Sequence, residues 1–61
     1  MMHFYIILRR ETGEYVLGMT SSTTSVRLAD RYYAKKLALA QLGDNQCVCG
    51  PYLEEDYDQV S

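Results

Sequence analysis

The residues best suited to covalent or metal chemistry are Cys47 and Cys49, which stand two positions apart. In a β-strand that spacing places both thiols on the same face. A disulfide between them is awkward, because same-face neighbours on one strand have Cα atoms about 6.5–7 Å apart. A metal site would need two further ligands, and His3 is the only histidine. We therefore expect free thiols that fill space as small apolar side chains, with no metal and no cofactor.

The same residues could form a nucleophile–base pair only if the first and last strands lie side by side. Such a pair also needs a third group that orients the histidine, and the sequence suggests none. A chain of 61 residues offers little concave volume for a substrate. The sequence therefore indicates that the protein is not an enzyme.

An acidic and aromatic stretch near the C-terminus is the second group with chemical potential. Four of the eight acidic residues fall within seven positions, together with two tyrosines. Carboxylates spaced along a surface can occupy the basic groove of a nucleic-acid-handling protein, and tyrosines add contact area at low entropic cost. The alternative interpretation is a solvated tail that keeps a small protein soluble. The predicted partner-binding residues are Tyr52, Glu54, Glu55, Asp56, Tyr57 and Asp58.

A basic segment in the middle of the chain offers an alternative surface. Its cations flank two tyrosines, a combination that suits stacking on nucleic acid. The net charge of −2, however, lacks the electrostatic footprint of a dedicated nucleic-acid binder. Protein binding is therefore favoured over nucleic-acid binding. The residues of this alternative surface are Arg27, Arg31, Tyr32, Tyr33, Lys35 and Lys36.

Composition describes one small globular domain. A hydrophobic content of 48% with 23% charged residues argues against disorder. The chain has no run of about 18 apolar residues, so we expect no membrane span. The opening MMHFYIILRR has no basic region before its apolar run and no small-residue cleavage site, which indicates a strand and not a signal peptide. We expect a cytoplasmic protein, in a reducing compartment that keeps both cysteines free.

Three apolar segments predict strands. The first is rich in β-branched and aromatic residues and reads as a central strand, and Thr12-Gly13 predicts a hairpin turn after it. Pro51 cannot donate to a ladder, so the last strand is expected at an edge. The predicted strands are 3–8, 15–19 and 46–53, with a hydroxyl-rich loop at 20–25.

The stretch from Leu28 to Leu42 has two interpretations. One is a single helix beginning near Val26, which leaves Lys36 in the middle of the apolar face. The other is an extended piece at 30–33 followed by a helix beginning near Ala34. Both end the helix at Leu42, with Gly43 as a left-handed cap. We favour the second interpretation.

These elements predict an α+β fold of ββαβ order, with or without an extra short strand. One helix packs on one face of a small antiparallel or mixed sheet. Residues 1–53 form the domain, and 54–61 form an acidic tail that the fold does not need. The opposite face of the first strand, with Ile6 and Leu8, is expected to be covered by a second copy or a partner. The expected core is Tyr5, Ile7, Val16, Leu37, Ala38, Leu42 and Val48.

The pattern of these residues resembles very short ββαβ proteins common in bacteriophages and mobile elements. The resemblance rests on the TGEY turn at 12–15, Ala29, Tyr32, Ala38 and Leu42-Gly43. Tyr32 stands where that pattern has phenylalanine. The resemblance implies a phage-type accessory protein that inhibits a host system, such as a defence nuclease or a CRISPR complex, by binding it in the host cytoplasm.

Overall fold

A four-stranded antiparallel sheet in the order β3-β2-β1-β4 is the frame of the computed structural model, which describes residues 2–58. This arrangement confirms the α+β class, the central position of the first strand and the edge position of the last. Within residues 2–58, neither helix is long and apolar enough to traverse a membrane. The elements are β1 His3–Arg9, β2 Glu14–Leu17, β3 Ser21–Thr23, α1 Lys35–Ala40, β4 Gln46–Leu53 and α2 Glu54–Asp58.

Strand β1 is buried on both of its faces by the chain itself. Phe4 and Ile6 point to one face and pack with Ala29, whereas Ile7 points to the other. Helix α1 packs against β1 and β4, and its buried residue is Ala38. Because both faces of β1 are covered within one chain, its apolar character no longer argues for a dimer. The oligomeric state itself stays a prediction.

The segment 30–32 lies between β1 and β2 and is hydrogen-bonded to both strands. Tyr32 exchanges two backbone hydrogen bonds with Tyr5, of 2.7 and 2.9 Å, so it extends the ladder where β2 has ended. On the other side, the Asp30 N–H donates to the Val16 carbonyl at 3.1 Å, and the Gly18 N–H donates to Asp30 Oδ2 at 2.8 Å. This confirms the extended piece at 30–33 and the later start of the helix.

Helix α1 begins after Ala34, which has extended backbone angles and no side-chain cap, and it ends at Ala40. The prediction that it runs to Leu42 with Gly43 as a left-handed cap was wrong. The Gly43 N–H instead donates to Gln46 Oε1 at 2.7 Å, and the positive φ of 60° belongs to Asn45. The last turn of α1 is closed by backbone bonds, in which the N–H groups of Gln41 and Leu42 donate to the carbonyls of Ala38 and Leu39.

Strand β3 corrects the expected loop at 20–25. Ser21–Thr23 pairs antiparallel with β2, with Tyr15 opposite Thr23. The strand is short, polar and at the edge, so it lacks the alternating apolar pattern by which a strand is recognised.

The expected core was partly wrong. Ile7 and Ala38 are buried, but Leu37 is 51% exposed, because the sheet-facing side of α1 is centred on Ala38. Phe4, Ile6 and Ala29 are buried on the opposite face, where no packing element was predicted. The four remaining predicted core residues, Tyr5, Val16, Leu42 and Val48, are half-buried.

The position of α1 predicts opposite responses at adjacent residues. Leu37→Ala should lower the free energy of unfolding by less than about 1 kcal/mol, because half of the side chain is already in water. Ala38→Leu should cost about 1–3 kcal/mol, because the added atoms meet a packed sheet. Urea denaturation of both variants distinguishes the two. A larger loss for Leu37→Ala than for Ala38→Leu would show that the helix is rotated.

Candidate functional site

The two tyrosines of the acidic stretch are part of the fold. Phe4, Tyr52 and Tyr57 form an aromatic cluster in which the ring centroids lie 5.5–5.8 Å apart. Both tyrosines are half-buried and pack on the core of Phe4, Ile6 and Ala29. Their presence is therefore explained by packing, which removes the argument that they are exposed anchors for a partner.

The expected loose tail is corrected for Glu54–Asp58, which form α2. Tyr57 attaches this helix to Phe4, and the Glu54 N–H donates to the Met2 carbonyl at 2.9 Å. An aromatic side chain that covers a buried phenylalanine turns an acidic segment into a structural element. The rest of the predicted tail, residues 59–61, lies outside the described residues.

Arg31 links the basic segment to the acidic stretch. Its guanidinium lies over the Phe4 ring, 4.4 Å from the centroid. Its Nη2 lies 2.7 Å from Asp58 Oδ1, and its Nη1 lies 3.6 Å from Glu54 Oε2. With 15% of its side chain exposed, Arg31 thus holds both ends of α2 against the sheet. The two surfaces that the sequence offered as alternatives meet at this residue.

The contacts between Arg31, Tyr33 and α2 shift the pKa values of the groups that form them. The hydrogen bond from Arg31 holds the pKa of Asp58 below its usual value and raises the pKa of Arg31 itself. The pKa of the Tyr33 hydroxyl is raised, chiefly by its hydrogen bond to Glu54. Glu54 and Asp58 are therefore committed to contacts within the chain at neutral pH.

Glu55 and Asp56 differ from the other two acids of α2. Both are exposed, and within residues 2–58 neither forms an ion pair. They stand on a helix whose opposite side is fixed by Tyr57 and Arg31. The structure therefore divides the predicted partner-binding residues into a structural group and an exposed carboxylate pair, Glu55 and Asp56.

The alternative basic surface is incomplete in the structure. Arg31 is occupied by α2, and Tyr32 is half-buried in its bridge with Tyr5. The exposed residues that remain of it are Arg27, Tyr33, Lys35 and Lys36. One tyrosine and three cations are a smaller stacking platform than the sequence suggested.

The cysteines lie on one face, as their spacing predicts. Cys49 stands opposite Ile6 and Cys47 opposite Leu8, so both point to the side of the aromatic cluster. Burial raises the pKa of the Cys49 thiol, and the neighbouring Cys47 adds to this. Strands β1 and β4 do pair, but the register puts His3 opposite Leu53, away from both thiols. The pairing therefore does not assemble a Cys–His set.

A cleft of about 400 Å³ lies on the other side of the sheet. Its walls include Ile7, Arg9, Val16 and Tyr32. Neither the cysteines nor His3 line it, so it holds no nucleophile–base pair of the kind considered from the sequence.

The ion pair of Asp58 predicts an acid-sensitive contribution to stability. A carboxylate with a lowered pKa stabilises the fold above its ordinary pKa of 3.8, and this stability is lost as the pH falls through the lowered pKa. Asp58→Asn should therefore be less stable than the natural chain at neutral pH, and the two should converge in acid. Urea midpoints measured from neutral pH down to about pH 3 test this.

Asp56→Asn is the matched control for this prediction, since it removes an exposed carboxylate of the same helix that forms no ion pair within residues 2–58. Its difference from the natural chain should stay small at every pH. A constant gap for Asp58→Asn, or convergence by Asp56→Asn as well, would contradict the assigned ion pair.

No protein-family model, no curated protein and no solved structure matches this chain.

Proposed function

We propose that this chain is a non-enzymatic protein-binding module that docks α2 onto a basic surface of another protein. The observation that supports it is the exposed carboxylate pair, Glu55 and Asp56, on a helix held in place from behind. Tyr57 and Arg31 fix the sheet-facing side of α2, and the two carboxylates project on the solvent side.

A helix packed on the fold presents its charged side chains to a partner at a lower entropic cost than a free tail. Ordering a flexible segment on binding costs free energy, and a segment that is already packed avoids most of this cost. Two carboxylates at adjacent positions also produce a local negative potential, which speeds the encounter with a basic partner. Glu54 and Asp58 contribute less to that potential, because Arg31 neutralises part of their charge.

The partner that suits this surface is a protein with a basic groove, of the kind that holds nucleic-acid phosphates. The resemblance to short phage proteins supports a host protein or complex, such as a defence nuclease or a CRISPR complex, in the host cytoplasm. Binding to nucleic acid itself is less favoured, because Arg31 and Tyr32 serve the fold.

The experiment compares capture of bacterial proteins by three immobilised chains. The first is the natural chain, and the second carries Glu55→Gln and Asp56→Asn. The control carries Glu11→Gln and Asp44→Asn, which changes the net charge equally at two exposed acids outside α2. We expect the natural chain and the control to capture the same basic-grooved protein, and the α2 variant to lose it. Equal capture by all three would overturn the proposal.

A further inference from the structure

The spacing of the two thiols of β4 disfavours a disulfide but allows both sulfurs to bind one metal ion. Cys47 and Cys49 lie on the same face of one strand, as their partners Leu8 and Ile6 show. Two such positions have Cα atoms about 6.5–7 Å apart, which disfavours a direct sulfur–sulfur bond. A soft metal ion bound between the sulfurs tolerates this separation, because two metal–sulfur bonds of about 2.3 Å place the sulfurs up to about 4.6 Å apart.

The surroundings of the thiols select the kind of ion. Within residues 2–58, no group of three or more histidine, cysteine or acidic side chains could hold a metal ion together. A tetrahedral zinc site needs four ligands, and the two thiols supply only two of them. Thiolate ligands alone favour Cu(I), whose soft character matches sulfur.

Packing around the pair supports the same ion. Cys49 packs against the core of Phe4, Ile6 and Ala29, and both thiols are half-buried, so the pair borders an apolar surface and remains reachable from solvent. The two thiols also project from the same face of β4, with one residue between them. A low-polarity wall suits a singly charged soft ion better than a hard, strongly hydrated one.

We propose that Cys47 and Cys49 form a two-coordinate binding site for Cu(I). Each thiol gives up its proton to solvent as the ion binds, so one Cu(I) and two thiols yield one dithiolate complex of charge −1 and two protons. No electron is transferred, and the strand keeps its pairing with β1. The site is separate from Glu55 and Asp56, so it does not depend on the proposed function.

The test is competition for Cu(I), kept reduced by ascorbate, between the chain and a coloured bicinchoninate chelator. The natural chain should remove one Cu(I) per chain from the chelator. Cys47→Ser should bind at least about a hundredfold more weakly, because loss of even an outer contact of a metal site costs about 10–100-fold. Circular dichroism establishes that each variant is folded.

A swapped variant, Cys47→Val with Val48→Cys, is the matched control. It keeps both thiols and the composition, but it puts them on opposite faces of β4. It should bind no more tightly than Cys47→Ser. Binding by the swapped variant equal to that of the natural chain would overturn the proposal, as would one Cu(I) per two chains or no competition by the natural chain.

Discussion

Replacing Phe4 by alanine is expected to unfold much of the protein at room temperature. Phe4 is fully buried and contacts Tyr52, Tyr57 and the guanidinium of Arg31. Truncating a buried phenylalanine costs about 3–5 kcal/mol. A domain of this length has a total stability of about 3–9 kcal/mol, at about 0.05–0.15 kcal/mol per residue. The expected loss is therefore comparable with the total free energy of unfolding.

Circular dichroism with urea denaturation measures this loss. Met2→Ala is the control, since Met2 precedes the same strand but is more than half exposed. It should leave the urea midpoint nearly unchanged. A Phe4→Ala protein with the midpoint of the natural chain would show that the aromatic cluster does not hold α2 to the sheet.

Replacing Gly50 by alanine has the second large expected effect. Gly50 and Pro51 together stand opposite Tyr5, where the β1–β4 register shifts. A Cβ on Gly50 would lie 2.9 Å from the Phe4 carbonyl oxygen, and the φ of 131° belongs to a region that side chains rarely enter. We expect a loss of about 3 kcal/mol or more, from strain and from displacement of the central strand.

Gly13→Ala separates strain from crowding in this prediction. Gly13 also has a positive φ, of 72°, but open space surrounds its Cβ position. Its replacement should cost only about 1–2 kcal/mol, the left-handed backbone term alone. Thermal unfolding of both variants gives the comparison. Equal losses at the two glycines would mean that β4 does not approach β1 as closely as described.

Sequence patterns predicted the elements that depend on local residues. The apolar run of β1, the turn at Gly13 and the proline of β4 each act within a few positions. The break before α1 was also predictable, because a continuous helix would put Lys36 on the apolar face. These features need no knowledge of distant contacts.

The missed features depend on residues far apart in the chain. Helix α2 forms because Tyr57 and Asp58 meet Phe4 and Arg31, and no local pattern in an acidic segment indicates that meeting. The phase of α1 was wrong for a similar reason. With only six residues, the helix has too few positions for periodicity to favour Ala38 over Leu37 as its sheet-facing centre.

The candidate site shows the same division. The acidic stretch and the basic segment were both recognisable from composition, but they were predicted as two alternative binding surfaces. Arg31 joins them, which takes Glu54 and Asp58 out of the exposed set and leaves Glu55 and Asp56. Only tertiary contacts could make this distinction, since the four acids are alike in type and neighbourhood.

The most direct test of the proposed function is the association rate of the captured partner with the three chains, measured over a range of salt concentrations. Complementary charge acts mainly on association and is screened by salt. We predict that Glu55→Gln with Asp56→Asn slows association at low salt and flattens its salt dependence. The control with Glu11→Gln and Asp44→Asn should behave like the natural chain. An association rate for the α2 variant equal to that of the natural chain at low salt would contradict a role for α2 in binding.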